Sequence, residues 1–371
     1  MILLAAPLFD ASGYAVASRS VLKLLNKMGV NTKVSPYTNW AGLGVKLSKD
    51  EFDLINKALL VKDKMEEIDT LLLYSMQKAV SGGVPVKFNK AFTIVHTMFE
   101  TDRFPEDWRS NLNMANWVLL PSKWGVETFK SCGISNSIYM PFWINTDEFF
   151  PYVPKLINDI PQFKFMFFGD LYPRKNFKGV LNAFLTRFNG NKDVVLILKM
   201  NLTPRDKLKD FLIEMRVIRK KAEYPKIYLY NDVIPKQSIP GFINSCDCLL
   251  SPSCGEGFGL PQLYAMACEK PVVTTNYSAC QDYVSEGNAL LLQYNIESVP
   301  YEIVKADKNF YGHEWGTPST EHLGLLMRWA VDHQDECKII GKKAREMVVE
   351  KYSYEPVSDL MGKFLKEKGI S

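Results

Sequence analysis

The sequence predicts an α/β fold of two Rossmann-like domains in tandem, and three observations predict it. Short apolar runs are followed by glycine-bearing or polar loops and then by amphipathic stretches, the strand, loop, helix unit of a doubly wound sheet. The pattern comes in two series, parted by the proline-bearing stretch Tyr152 to Pro161. A chain of 371 residues is long for one core and comfortable for two domains. We read residues 1–150 as the first domain and 162–352 as the second.

Taken in order, Met1 to Pro7 reads as a buried strand, Phe9 to Tyr14 as a loop holding Gly13, and Ala15 to Met28 as a helix with Val21, Leu22, Leu25 and Met28 on one face. Strands follow at Asn31 to Pro36, Thr70 to Ser75 and Ala91 to Thr97. In such sheets ligands lie outside the carboxyl ends of the strands, which puts His96 in place to face one. Glu100 and Asp102 invite comparison with the paired acid and base of a glycosidase. Acceptor binding is the role expected of their loop, with Arg103 and Trp108 beside them. Ala115 to Pro121 is a strand, and Ser122 caps a helix that ends before Gly133.

In the second series, Phe163 to Phe168 is a strand leading to Arg174 and Lys175 and a helix through Phe188. Two adjacent cations where a strand turns into a helix suit a diphosphate leaving group, since arginine grips oxygens bidentately and lysine acts as a point charge. Val194 to Met200 and Lys226 to Tyr230 are strands around a charged helix, Arg205 to Lys221, whose Arg216, Arg219, Lys220 and Lys221 form a solvated face or touch a membrane. Cys248 to Ser251 is a strand, Pro252 to Gly259 a turn with three glycines, and Pro261 fits the first turn of the next helix. The unpaired N–H groups at such a helix start favour an anion such as a diphosphate. Glu256 within the same turn would repel phosphates and is better used accepting hydrogen bonds from sugar hydroxyls, so a glycosyl diphosphate satisfies both. Thr317-Pro318 is expected to open a helix that runs to His333, followed by amphipathic helices Glu336 to Lys351 and Glu355 to Lys368.

Composition narrows the class. With 47% hydrophobic and 23% charged residues the chain is globular, and a net charge of +4 leaves no nucleic-acid footprint while allowing loose contact with an anionic membrane. Seven cysteines without a paired CxxC point to a reducing, cytoplasmic setting. MILLAAPLF has no basic leader and is too short to span a bilayer. No histidine and carboxylate cluster or Asp-x-Asp stands out, so no cofactor and no required metal are expected.

Glu256-Gly257-Phe258-Gly259-Leu260, then Ala265-Met266-Ala267-Cys268 and Pro271-Val272-Val273, resemble the donor-site signature of the retaining glycosyltransferases of family 4. That resemblance implies the GT-B fold, two Rossmann-like domains facing across a cleft, with a C-terminal helix at 355–371 packed back on the first domain. It implies transfer of a sugar from a nucleotide sugar to a hydroxyl acceptor, with retention and by a front-face route. By the same resemblance Glu256 contacts the sugar, Arg174 and Lys175 the diphosphate, Gly13 approaches the diphosphate, and His96 lies near sugar and acceptor. Gly257, Phe258, Gly259 and Leu260 line the donor, and Val233 or Ile234 touches the base. The family's second glutamate, which holds the ribose, is here Tyr264, with one hydroxyl where a carboxylate has two acceptor oxygens. That departure keeps two rivals in view: a non-catalytic GT-B protein binding a sugar or a partner, and a sugar-nucleotide hydrolase or epimerase on the same fold. The sequence sets no donor sugar, acceptor or oligomeric state.

Overall fold

Six apolar residues without alternation suit a strand covered on both faces, and Ile2–Pro7 forms β1 with every residue buried. In this computed structural model residues 1–37, 45, 47–60, 67–74, 92–200, 209, 213 and 224–370 are described. β1 is followed by β2 (Thr32–Tyr37), β3 (Thr70–Tyr74), β4 (Phe92–His96), β5 (Trp117–Leu120) and β6 (Ser137–Tyr139). They pair in the order β2-β1-β3-β4-β5-β6, parallel throughout. Between them run α1 (Gly13–Lys27), α2 (Lys49–Ala58), α3 (Arg109–Met114) and α4 (Lys123–Ser131). Ser12 caps α1 by accepting from the Ala15 N–H, and Ser122 caps α4 by accepting from Gly125. The helix read from Ala15 thus begins two residues earlier, with Gly13 inside it.

A second parallel sheet holds β7 (Phe163–Gly169), β8 (Val194–Met200), β9 (Lys226–Tyr230), β10 (Cys248–Ser251), β11 (Val272–Thr275) and β12 (Leu290–Leu292), in the order β12-β11-β10-β7-β8-β9. This is the Rossmann order read from the opposite edge: crossovers run from β7 to β8 and β9, then restart on its other side at β10. Its helices are α5 (Phe177–Arg187), α6 (Ile239–Asn244) and α7 (Leu260–Ala267). Phe165, Phe184, Phe188 and Leu196 fill the core between β7, β8 and α5. Truncating any one of these phenylalanines to alanine removes about 3–5 kcal/mol of stability.

The chain divides into two units: Met1–Asn145 with Asp307–Tyr311 and Glu350–Ser371, and Thr146–Ala306 with Gly312–Val349. The stretch 152–161, read as a linker, is instead tied into the second unit, where the Leu156 and Ile157 amides donate to Ser245 Oγ at 2.9 and 2.8 Å. The expected helix start at Thr317-Pro318 is a strand. Residues Tyr294–Ser298 (β13) and Glu314–Pro318 (β14) form an antiparallel hairpin around α8 (Tyr301–Ala306), and Ser319 caps the following α9 (Thr320–Asp332). α10 (Gln334–Tyr352) and α11 (Tyr354–Glu367) close the fold. α11 belongs to the first unit, where Phe364 meets Trp117 edge-on and Tyr354 lies 3.7 Å beneath Lys27 Nζ. The charged helix expected at 205–221, with Arg216, Arg219, Lys220 and Lys221, lies outside the described residues. Among the described residues no helix is long and apolar enough to cross a membrane.

Candidate functional site

The second sheet changes direction between β7 and β10, so the loops leaving their carboxyl ends diverge and leave room there for a ligand. One loop carries Arg174 and Lys175, the other Glu256. Arg174 and Lys175 sit in a single 3₁₀ turn after Pro173, ended by Asn176 in the left-handed region. The Cys254 amide donates to the Arg174 carbonyl at 2.8 Å and fastens the two loops together.

The three charges close on one another. Lys175 Nζ lies 2.7 and 2.9 Å from the two Glu256 carboxylate oxygens, and Arg174 Nη1 lies 3.2 Å from Oε2 while also donating to the Gly255 carbonyl. Ser253 Oγ donates to Oε1 at 2.6 Å. The glutamate side chain is 7% exposed, Arg174 11% and Lys175 19%. Burial by itself raises the Glu256 pKa, but Lys175, then Arg174, then the hydrogen bonds outweigh it and hold the carboxyl down at about 2. Glu256 is therefore an anion at neutral pH and no general acid.

Its backbone is fixed as firmly. Ser278, at φ 56°, accepts from the Glu256 amide at 2.7 Å and donates to its carbonyl at 3.1 Å. Sequence reasoning missed Ser253 and Ser278. Ser253 lies in the glycine turn and was open to notice, whereas nothing in residue type announces a serine at positive φ. Also missed was the hairpin's support of this turn: Gly316 N–H donates to the Cys254 carbonyl at 3.0 Å, and a Cβ at Gly316 would stand 2.8 Å from the Tyr277 ring.

Gly257, Phe258 and Gly259 continue the turn and are buried, and Leu260 opens α7. Gly259 caps α7 at φ 86°, and a Cβ there would lie 2.1 Å from the Tyr283 hydroxyl, so glycine is required twice over. Tyr264 is the fifth residue of α7, one turn beyond the helix start rather than within the first turn. Its ring stacks on Phe149 with centroids 3.9 Å apart and planes 4° from parallel. Val233 is 37% exposed and Ile234 half-buried in the loop after β9, where Lys236 pairs with Glu148 at 3.6 Å. Lys199, unremarked in the sequence, is the penultimate residue of β8 at 2% exposure, and burial lowers its pKa to about 8 against the opposing pull of Asp232.

The first unit holds the remaining candidates. His96 ends β4 at 1% exposure, walled by Tyr74 and Phe142 with ring centroids 5.3 and 4.7 Å away. Its Nε2 lies 3.1 Å from the Met140 carbonyl, which can only accept, so Nε2 carries the proton and Nδ1 a buried lone pair that has no partner among the described residues. Burial drives its pKa down to about 3, partly offset by that carbonyl. Gly13 is exposed at the first turn of α1, and among the described residues nothing lies within 4 Å of where a Cβ would stand. Asp102 is paired with Arg103 Nη2 at 2.7 Å. Glu100 is half-buried nearby. Asp102 and Arg103 thus form a partly exposed ion pair in this loop. Among the described residues no three of His, Cys, Asp or Glu stand close enough to hold a metal ion.

Residues 162–306 match the family model of glycosyl transferases group 1. Over 142 residues the chain is 25% identical to the O-antigen chain mannosyltransferase B of Escherichia coli, a stretch that covers 38% of this chain and 36% of that relative's length. The whole fold is similar to Anabaena HepE, solved with UDP and glucose, at TM-score 0.68 and 16% identity over 98% of this chain and 99% of the other. It is also similar to the sucrose-phosphate synthase of Thermosynechococcus elongatus, at TM-score 0.71 and 13% identity over 99% and 98%. The fold is GT-B, and the match to glycosyl transferases group 1 falls within the second unit.

Proposed function

We propose that this chain is a glycosyltransferase that moves a sugar from a nucleoside diphosphate donor to a hydroxyl acceptor with retention, without a required metal. The observation that carries this reading is the largely buried cluster of Arg174 and Glu256 with the half-buried Lys175, beside the start of α7 and at the switch point of a Rossmann sheet. As the bond from the anomeric carbon to the phosphate oxygen breaks, its electron pair goes to the diphosphate. The two cations and the N–H groups at the start of α7 face that charge as it develops. The acceptor oxygen bonds to the anomeric carbon on the same face, and its proton passes to the departing phosphate oxygen. Glu256 accepts from sugar hydroxyls, and His96, neutral and with its lone pair on Nδ1, accepts from a hydroxyl of sugar or acceptor. Gly13 leaves space for phosphate at α1, Val233 and Ile234 offer an apolar edge to the base, and Tyr264 stands at the ribose. Glu100, Asp102 and Arg103 take the acceptor side, and a cytoplasmic setting with peripheral membrane contact belongs to the proposal.

HepE binds UDP and glucose, which makes UDP the first donor nucleotide to try. A thermal-shift screen of nucleoside diphosphates and their sugars tests the reading, since a ligand bound only by the native state raises Tm. One or more diphosphates raising Tm by several degrees supports it, and no response to any would remove it. The Tyr264–Phe149 stack favours one rival: a tyrosine ring held this way can fill a ribose site and leave a non-catalytic sugar- or partner-binding protein. That rival predicts silence toward every nucleotide in the same screen.

A further inference from the structure

The phosphate-binding cations are already occupied by a side chain of the site itself. Lys175 reaches both oxygens of Glu256 and spends two of its three donors there, and Arg174 Nη1 is shared between the same carboxylate and the Gly255 carbonyl. The carboxylate cannot drift away, because Ser253 holds Oε1 and Ser278 holds the Glu256 backbone by both its amide and its carbonyl. A diphosphate entering this site meets a fixed anion on the groups it needs. It must share them or draw them off.

We infer that Glu256 is a built-in competitor of the diphosphate, and that it makes the site discriminate between a sugar-bearing donor and the bare nucleoside diphosphate left after transfer. The inference rests on the donor-site reading above and deepens it. A ligand that carries a sugar repays the carboxylate for the cations it loses, because sugar hydroxyls donate to it. A bare diphosphate offers Glu256 only repulsion and leaves a buried carboxylate short of partners. The same residue that orients the sugar therefore weakens the hold on the product, which favours its departure once the sugar has gone.

Calorimetry with UDP, GDP, dTDP, ADP and inorganic pyrophosphate, on the wild type and on Glu256→Gln, tests this. For whichever diphosphate the wild type binds, Glu256→Gln should bind it at least tenfold more tightly, while the preference for the matching sugar nucleotide over the bare diphosphate shrinks. Because the glutamine removes the carboxylate charge that faces Arg174 and Lys175, Glu256→Asp serves as the second variant. It keeps the charge but is one methylene shorter and cannot span the same contacts, so its affinity for the bare diphosphate should fall between the two. Equal or weaker binding of the bare diphosphate by the folded variants, with the wild type binding it, would overturn the competition while leaving the donor site in place. Absence of binding to all five probes by wild type and variants alike would overturn the donor-site reading, and the inference with it.

Discussion

The two sheets of this protein end in opposite ways. At the carboxyl edge of the second, Arg174, Lys175, Glu256, Ser253 and Ser278 form a network in which the charges answer one another. At that edge of the first, Asp10 Oδ2, Tyr74 Oη and His96 Nδ1 are buried without a hydrogen-bond partner among the described residues, and Tyr74 and His96 pack against each other edge-on. Each such atom costs about 1–3 kcal/mol relative to a satisfied one, and native structures keep few of them. The difference teaches that one fold can supply two kinds of polar surface: a preorganised one that stabilises charge, and an underpaired one where an arriving hydroxyl or water gains most.

Removing the cations breaks the contrast most sharply. Arg174→Ala and Lys175→Ala should each slow transfer by about 100- to 1000-fold, the scale of a preorganised electrostatic contact in a dry site. Single-turnover rates with an identified donor measure this, and wild-type rates in both variants would detach this loop from the chemistry.

The underpaired edge should show itself in acid. His96 has an ordinary pKa of 6.5 and a folded value of about 3, so between those limits the unfolded chain binds a proton that the native state refuses. Its contribution is fully present above pH 6.5 and is lost as pH falls toward 3, on the order of 5 kcal/mol in all. Glu256, lowered from 4.5 to about 2, adds a loss in the same direction at lower pH. Scanning calorimetry from pH 7 to 4 should find Tm falling in the wild type and falling less in His96→Asn. Parallel curves for the two proteins would contradict the burial argument.

Smaller effects sharpen the picture of the second edge. Gly259→Ala forces a side chain onto φ 86° and against the Tyr283 hydroxyl, at a cost of about 1–3 kcal/mol in urea unfolding. Adding Tyr283→Phe should recover part of that loss, because the clashing atom is the hydroxyl. If the double variant is no more stable than the single one, backbone strain alone sets the cost. Tyr264→Glu should tighten nucleotide binding by up to about tenfold, the worth of one charged hydrogen bond. Unchanged calorimetric affinity would place the ribose elsewhere than on α7. The smallest effect is expected of EDTA, with rates kept within about twofold because side-chain cations already face the diphosphate. Loss of activity restored by one divalent ion would reverse that expectation.

Both the fold and the second edge were legible in the sequence because each depends on local signals. β8, β9 and β10 run from and to the residues that apolar length and flanking turns indicate, and Arg174, Lys175 and Glu256 each lie where a strand gives way to a helix. The hairpin was not legible: all of β13 after Tyr294 is exposed, so no alternation marks it, and Thr317-Pro318 carries a helix-start signal that Ser319 in fact supplies. Nor could the Tyr264–Phe149 stack be read, since it joins residues remote in sequence whose pairing follows from the packing of 146–161 onto the second unit. The lone pair on His96 was equally hidden, because it depends on a carbonyl from beyond β6.

The first unit is built from three separate segments of chain, and the last of them has a bearing on biosynthesis. All six strands of the first sheet are synthesised before the second unit, whereas α11, which packs on Trp117, is synthesised after it. The nascent first sheet must therefore carry an uncovered aromatic flank throughout translation of residues 146–349, a period in which it is open to chaperones and to association with other nascent chains. The second unit, drawn mostly from one run of chain, is free to fold first although it is made second.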